Sequence, residues 1–144
     1  MKTTITKRFN FCYGHFLPNH PGKCKNQHGH NAELEVTVSY FRGGLDEMTG
    51  MVFDFGDLKK VVSPILELLD HRYLNGITQE ELYSFVSSAP PVKVFSFTET
   101  PTAENIALFI FEAISESSLL PDHVIVQKIR LSETPDSWVE VTEE

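Results

Sequence analysis

Near the N-terminus apolar and polar residues alternate. Phe9, Phe11 and Tyr13 stand at every second position, which puts their rings on one face of a strand over residues 3–16, and His15 continues the same parity. The segment LPNHPGKCKNQ, residues 17–27, carries two prolines, a glycine and several polar residues, the composition of an exposed loop. A second alternation follows over residues 28–42. Ala32, Leu34, Val36, Val38 and Tyr40 interleave with Glu33, Glu35, Thr37 and Ser39, as in a half-buried antiparallel strand ended by the turn RGGLDEMTG.

The period then lengthens. Leu58, Val61, Val62, Ile65, Leu66 and Leu69 form one apolar helical stripe, with Asp54 or Asp57 as its cap and an end near Asp70-His71. Pro64 inside this helix is expected to kink it or restrict its first turns. Residues 78–100 read as a short helix and a short strand around Pro90-Pro91. A second long helix starts at Thr102 as N-cap, with Glu104 in the first turn and Ile106, Phe109, Ile110, Ala113 and Ile114 buried. HVIVQKIRLSE and SWVEV predict two strands joined by the turn TPD. The order strand, strand, helix, helix, strand, strand indicates an α+β fold, its helices on one face of an antiparallel sheet.

The 144 residues suffice for one domain, residues 1–144, and no linker or repeat divides them. A hydrophobic share of 41% with 22% charged residues is that of a soluble globular protein. The net charge of −8 argues against a nucleic-acid or anionic-membrane partner, which would require a basic face. It leaves room for a small anionic substrate in a locally positive pocket. MKTTITKRFNF lacks an apolar signal core and no segment reaches membrane-spanning length, so the expected location is cytoplasmic. In that reducing compartment Cys12 and Cys24 are expected as thiols.

Candidate chemistry concentrates in CKNQHGH, residues 24–30. If His28 and His30 enter the second strand, the period of two places both rings on one face, and pairing with the first strand brings His15 alongside. Three neutral imidazoles with a free fourth position match catalytic zinc. Two other readings stay open: a closed structural site with Cys24 as fourth ligand, and polar residues that merely start a strand. Lys23 and Lys25 flank Cys24 and favour its thiolate. Asp70 beside His71 reads either as a carboxylate fixing a histidine tautomer or as a helix terminus. Glu133 reads either as an acceptor for an amidine-like edge, such as that of a pterin, or as a turn residue. His20 and His123 read as surface residues.

FCYGHFLP, KCKNQHGHN, GMVFDFGDLK, LDHRYLN, PTAENIA and RLSETPDSW occur in this order across nearly the whole chain. Together they resemble the 6-pyruvoyl-tetrahydropterin synthase and 6-carboxytetrahydropterin synthase family. The resemblance implies the tunnelling fold, a four-stranded antiparallel sheet with two helices, assembled as trimers that stack into a homohexamer with active sites at subunit interfaces. It implies zinc on His15, His28 and His30, a catalytic cysteine at Cys24, a catalytic Asp70-His71 pair, and a pterin-anchoring, relay-linked Glu133. Three residues between Cys24 and His28 resemble the bacterial carboxytetrahydropterin synthases of queuosine precursor synthesis, whose substrate is 7,8-dihydroneopterin triphosphate. Arg8, Lys23 and Lys25 are candidates for the triphosphate, or a solvated basic cluster. The alternatives are a 6-pyruvoyl-tetrahydropterin synthase and a catalytically silent pterin- or zinc-binding module. Residues 79–97 form a longer connection than the family's usual one.

Overall fold

The computed structural model describes residues 1–17, 20–76 and 93–143. Among these residues six strands, numbered along the chain, form one sheet in the order β4-β3-β1-β2-β5-β6. The two strands read first are β1, Thr4–His15, and β2, His28–Tyr40, paired antiparallel from Thr4 opposite Ser39 to His15 opposite His28. Continuing outward, β5, Val124–Thr134, pairs antiparallel with β2, and β6, Ser137–Thr142, with β5.

Two further strands correct the expectation of a four-stranded antiparallel sheet. β3, Arg72–Gly76, lies parallel to β1, and β4, Val94–Phe97, lies parallel to β3, so the sheet is mixed. β3 carries no alternating pattern. In β3 the last three residues, Leu74, Asn75 and Gly76, are all buried, and β4 has only four residues. The short strand read within residues 78–100 is β4, and the short helix read there lies outside the described residues.

The helices behave as their stripes require. α1, Phe55–Glu67, starts at Asp54, whose carboxylate accepts from the Asp57 amide at 3.0 Å, so Asp54 is the cap and Asp57 the first-turn acid. Pro64 falls three residues before the end of α1, so its missing N–H affects the C-terminal part of the helix, and tight turns carry the chain from Leu68 to His71. α2, Ala103–Ser115, starts at Thr102, whose hydroxyl accepts from the Asn105 amide at 3.1 Å. Both helices pack over one face of the sheet. Leu58, Val62, Ile106 and Ile110 meet Leu34, Val36, Ile129 and Leu131, all fully buried. The same face, followed along β1 and β2 toward their paired ends, passes from Phe11 and Ala32 to Tyr13 and then to His15, His28 and His30.

Candidate functional site

The register explains how three histidines meet. His15 lies directly opposite His28, and His30 lies opposite Tyr13, so all three rings project from one face at one end of the β1–β2 pair. Their ring centroids are 4.5 to 5.1 Å apart. One nitrogen from each lies within 4.8 Å of the others, a spacing that could hold a metal ion.

Hydrogen bonds select which nitrogens are offered. His15 Nδ1–H donates to the Pro101 carbonyl at 2.7 Å, and His28 Nδ1–H donates to the Asn26 carbonyl at 2.7 Å. In a neutral ring this leaves Nε2 as a bare lone pair. The Nε2 atoms of His15 and His28 are both buried without a hydrogen-bond partner. Burial pushes the fully enclosed His15 ring below the usual histidine value and outweighs the Pro101 carbonyl and Glu133, which pull upward, while His28 and His30 add to the depression. A neutral imidazole with Nδ1 tied to a carbonyl and Nε2 free is the form that ligates metal.

Glu133, from the end of β5, closes the cluster. Its Oε2 lies 3.4 Å from His15 Nε2 and 3.5 Å from His30 Nε2. At His15 a lone pair faces a carboxylate, an arrangement that a cation between them relieves. The Tyr13 hydroxyl donates a hydrogen bond to the same Oε2. Burial first, then the Glu133 charge and this bond, push the Tyr13 hydroxyl far above its usual value, so it stays a proton donor. Tyr13 is legible in the sequence as a core aromatic, but nothing in the sequence points its hydroxyl at Glu133.

A second group forms on the other side of β1. Asp70 Oδ1 accepts from the Cys12 amide at 2.9 Å and lies 3.0 Å from His71 Nδ1, while the His71 amide donates to the Cys12 carbonyl at 2.7 Å. His71 takes a left-handed backbone with φ of 58°, the one positive φ outside glycine among the described residues. For a residue with a Cβ this costs on the order of 1 kcal/mol, which the two backbone bonds to Cys12 offset. Burial alone would raise the Asp70 carboxyl, but the Cys12 amide and His71 outweigh it and hold the carboxyl below its usual value. Asp70 and His71 thus sit as a carboxylate and imidazole in contact just past the α1 C-cap at Leu68.

Between the two groups lies an open cleft of about 580 Å³. Gly14 and Gly29, paired across the strands, form part of its wall, with His28, His30, His71, Arg72 and Tyr73 around them. Burial pushes the Tyr73 hydroxyl up to about 12. Cys24 sits in a single 3₁₀ turn, Lys23–Lys25, as a half-buried free thiol, and belongs to neither group of clustered side chains among the described residues. Arg8 is paired with Glu33 at 3.1 Å and Glu35 at 3.4 Å, which satisfies its charge within the sheet. His20 and His123 are exposed, as expected of surface residues.

The family model for 6-pyruvoyl tetrahydropterin synthase matches residues 4–144. A Haemophilus influenzae protein named 6-carboxy-5,6,7,8-tetrahydropterin synthase is 36% identical, with 96% of this chain and 98% of that protein covered. An Aquifex aeolicus protein of the same name is 33% identical over the full length of both. Among solved structures, an uncharacterised Wolinella succinogenes protein superposes with a TM-score of 0.80 at 25% identity, covering 99% of this chain and 98% of that one. The 6-pyruvoyl tetrahydropterin synthase of Caenorhabditis elegans gives 0.72 at 26% identity, covering 99% and 96%.

Proposed function

The chain belongs to the 6-pyruvoyl tetrahydropterin synthase family, and from that premise we propose that this tetrahydropterin synthase is a metal-dependent 6-carboxy-5,6,7,8-tetrahydropterin synthase. Its substrates are 7,8-dihydroneopterin triphosphate and water, and its products are 6-carboxytetrahydropterin, acetaldehyde and triphosphate. The carboxy branch is favoured by the names of the bacterial relatives that align over nearly the whole chain. The pathway would be queuosine precursor synthesis in the cytoplasm, with residues 1–144 acting as one synthase domain.

The observation that carries the reading is the pair of buried, unpartnered Nε2 atoms on His15 and His28, aimed into a cluster completed by His30. His15, His28 and His30 would hold zinc, which all-imidazole ligation suits. When bound, the ion supplies Lewis-acid stabilisation of negative charge developing on substrate oxygens.

The protein's own groups do the rest. Cys24 as thiolate takes the side-chain proton of the substrate. His71, its ring fixed by Asp70 at 3.0 Å, carries a proton on the opposite face. Glu133 accepts hydrogen bonds from the pterin edge, and its relay role runs through Tyr13, which donates to it. Within one chain no hydrogen bond joins Cys24 to His71 among the described residues. The active sites would be assembled between copies of the chain in a homohexamer of two stacked trimers; the mass of the assembly in solution checks that expectation.

Two variants test the assignment. Cys24→Ala should keep bound zinc while turnover falls by about 10²- to 10⁴-fold, as for loss of a general base. His28→Ala should lose both metal and turnover. Zinc lost from Cys24→Ala would point instead to a closed structural site, and full activity of metal-free His28→Ala would remove the Lewis-acid role.

A further inference from the structure

We propose that Cys12, Asp70 and His71 form a second cation site, separate from the three histidines and suited to a borderline-soft divalent ion such as Zn²⁺ or Co²⁺. The donor atoms of these three residues lie within 4.8 Å of one another. Asp70 Oδ1 stands 3.8 Å from Cys12 Sγ and 3.0 Å from His71 Nδ1. Ligands at about 2.0 to 2.3 Å around a tetrahedral ion are separated by roughly 3.3 to 3.6 Å, so the two Asp70 pairs need shifts of only a few tenths of an ångström, and the Cys12–His71 pair must close in from a separation of at most 4.8 Å.

The site is held in advance by the backbone. The Cys12 amide orients the Asp70 carboxylate at 2.9 Å, and the His71 amide is bound to the Cys12 carbonyl at 2.7 Å. These bonds join residues 58 and 59 positions apart, and the left-handed backbone at His71 is part of what brings its ring back toward Asp70. The depressed Asp70 carboxyl supplies an ionised oxygen at neutral pH. A thiolate and an imidazole with one carboxylate select zinc-like ions over Mg²⁺ or Ca²⁺, which require mostly oxygen.

Binding balances as follows. The Cys12 thiol releases its proton to solvent, and the proton on His71 Nδ1 moves to Nε2 of the same ring, which is 79% exposed. Each ion therefore releases one proton and replaces the His71–Asp70 hydrogen bond. The consequence for activity rests on the role proposed above for His71. An ion on Nδ1 withdraws the ring from proton transfer, so a second equivalent of zinc inhibits the enzyme that the first equivalent activates.

Cobalt titration of the metal-free full-length chain, followed by absorption, tests the site without reference to turnover. His28→Ala removes the histidine cluster, and the expected result is one bound Co²⁺ with a near-ultraviolet thiolate-to-cobalt charge-transfer band. Adding Cys12→Ala or the near-isosteric Cys12→Ser should abolish the band, whereas adding Cys24→Ala should leave it, with circular dichroism confirming that each variant is folded. No band in His28→Ala, or a band that survives loss of Cys12 and vanishes with Cys24, overturns the site. With substrate, a second zinc equivalent should lower wild-type turnover by about 10²-fold, the usual scale of a general acid–base group, and Cys12→Ser should resist it. Undiminished turnover despite the band overturns the inhibitory role. Absence of turnover at one equivalent refutes the synthase reading, while the cobalt result still decides the site.

Discussion

Tyr13 ties the hydrophobic core to the histidine cluster. Its ring packs against Phe11 at 5.5 Å between centroids, and its hydroxyl holds the Glu133 carboxylate beside His15 and His30. Tyr13→Phe keeps the packing and removes the donor. The metal-free variant should lose about 1 to 2 kcal/mol in urea unfolding, the scale of a partly buried hydrogen bond to a charged group; unchanged stability would mean that water replaces the hydroxyl. Asp70 makes a pH-dependent contribution. Its folded value lies below the ordinary 3.8, so its stabilisation is present in full above 3.8 and is lost as pH falls through the lower folded value. The stability advantage of wild type over Asp70→Asn should therefore shrink in that acid window, and a difference independent of pH would contradict the assignment. The histidines were legible because strand parity and an H-x-H pair suffice to put them on one face. The Tyr13–Glu133 bond was not, because the two residues are 120 positions apart and no local pattern relates them.

At the level of elements, the start of α2 does more than begin a helix. Thr102 caps it, the Asn105 side chain donates to the Thr100 carbonyl at 2.9 Å, and the Pro101 carbonyl between them receives His15 Nδ1–H. Thr102→Ala should cost about 1 kcal/mol as a lost cap. It should also weaken zinc binding by about 10-fold, because the carbonyl that orients His15 is loosened. Loss of stability with unchanged zinc affinity would show that the cap and the site are independent. Both long helices were readable from their apolar stripes, and the four long strands from their alternation. β3 was not, because a five-residue strand that buries Asn75 and Gly76 has no period, and its parallel pairing is set by the return of the chain after α1. The dyad's exact setting was hidden for the same reason: it depends on the turn at His71 that launches β3.

Across the whole molecule, the sheet supplies both faces of the site. Its helix-covered face carries the three histidines, and the other side of β1 carries Cys12 with Asp70 and His71. Among the described residues β4 and β6 are the outermost strands of the sheet. With a net charge of −8, recognition of the proposed triphosphate substrate would be local; Arg72 lies in the cleft wall, whereas Arg8 is paired with Glu33 and Glu35. The central claim is the reaction itself, and mass spectrometry of the products from zinc-loaded protein and 7,8-dihydroneopterin triphosphate tests it most directly. The account predicts 6-carboxytetrahydropterin with acetaldehyde; 6-pyruvoyltetrahydropterin, or unaltered substrate on zinc-loaded protein, would contradict it.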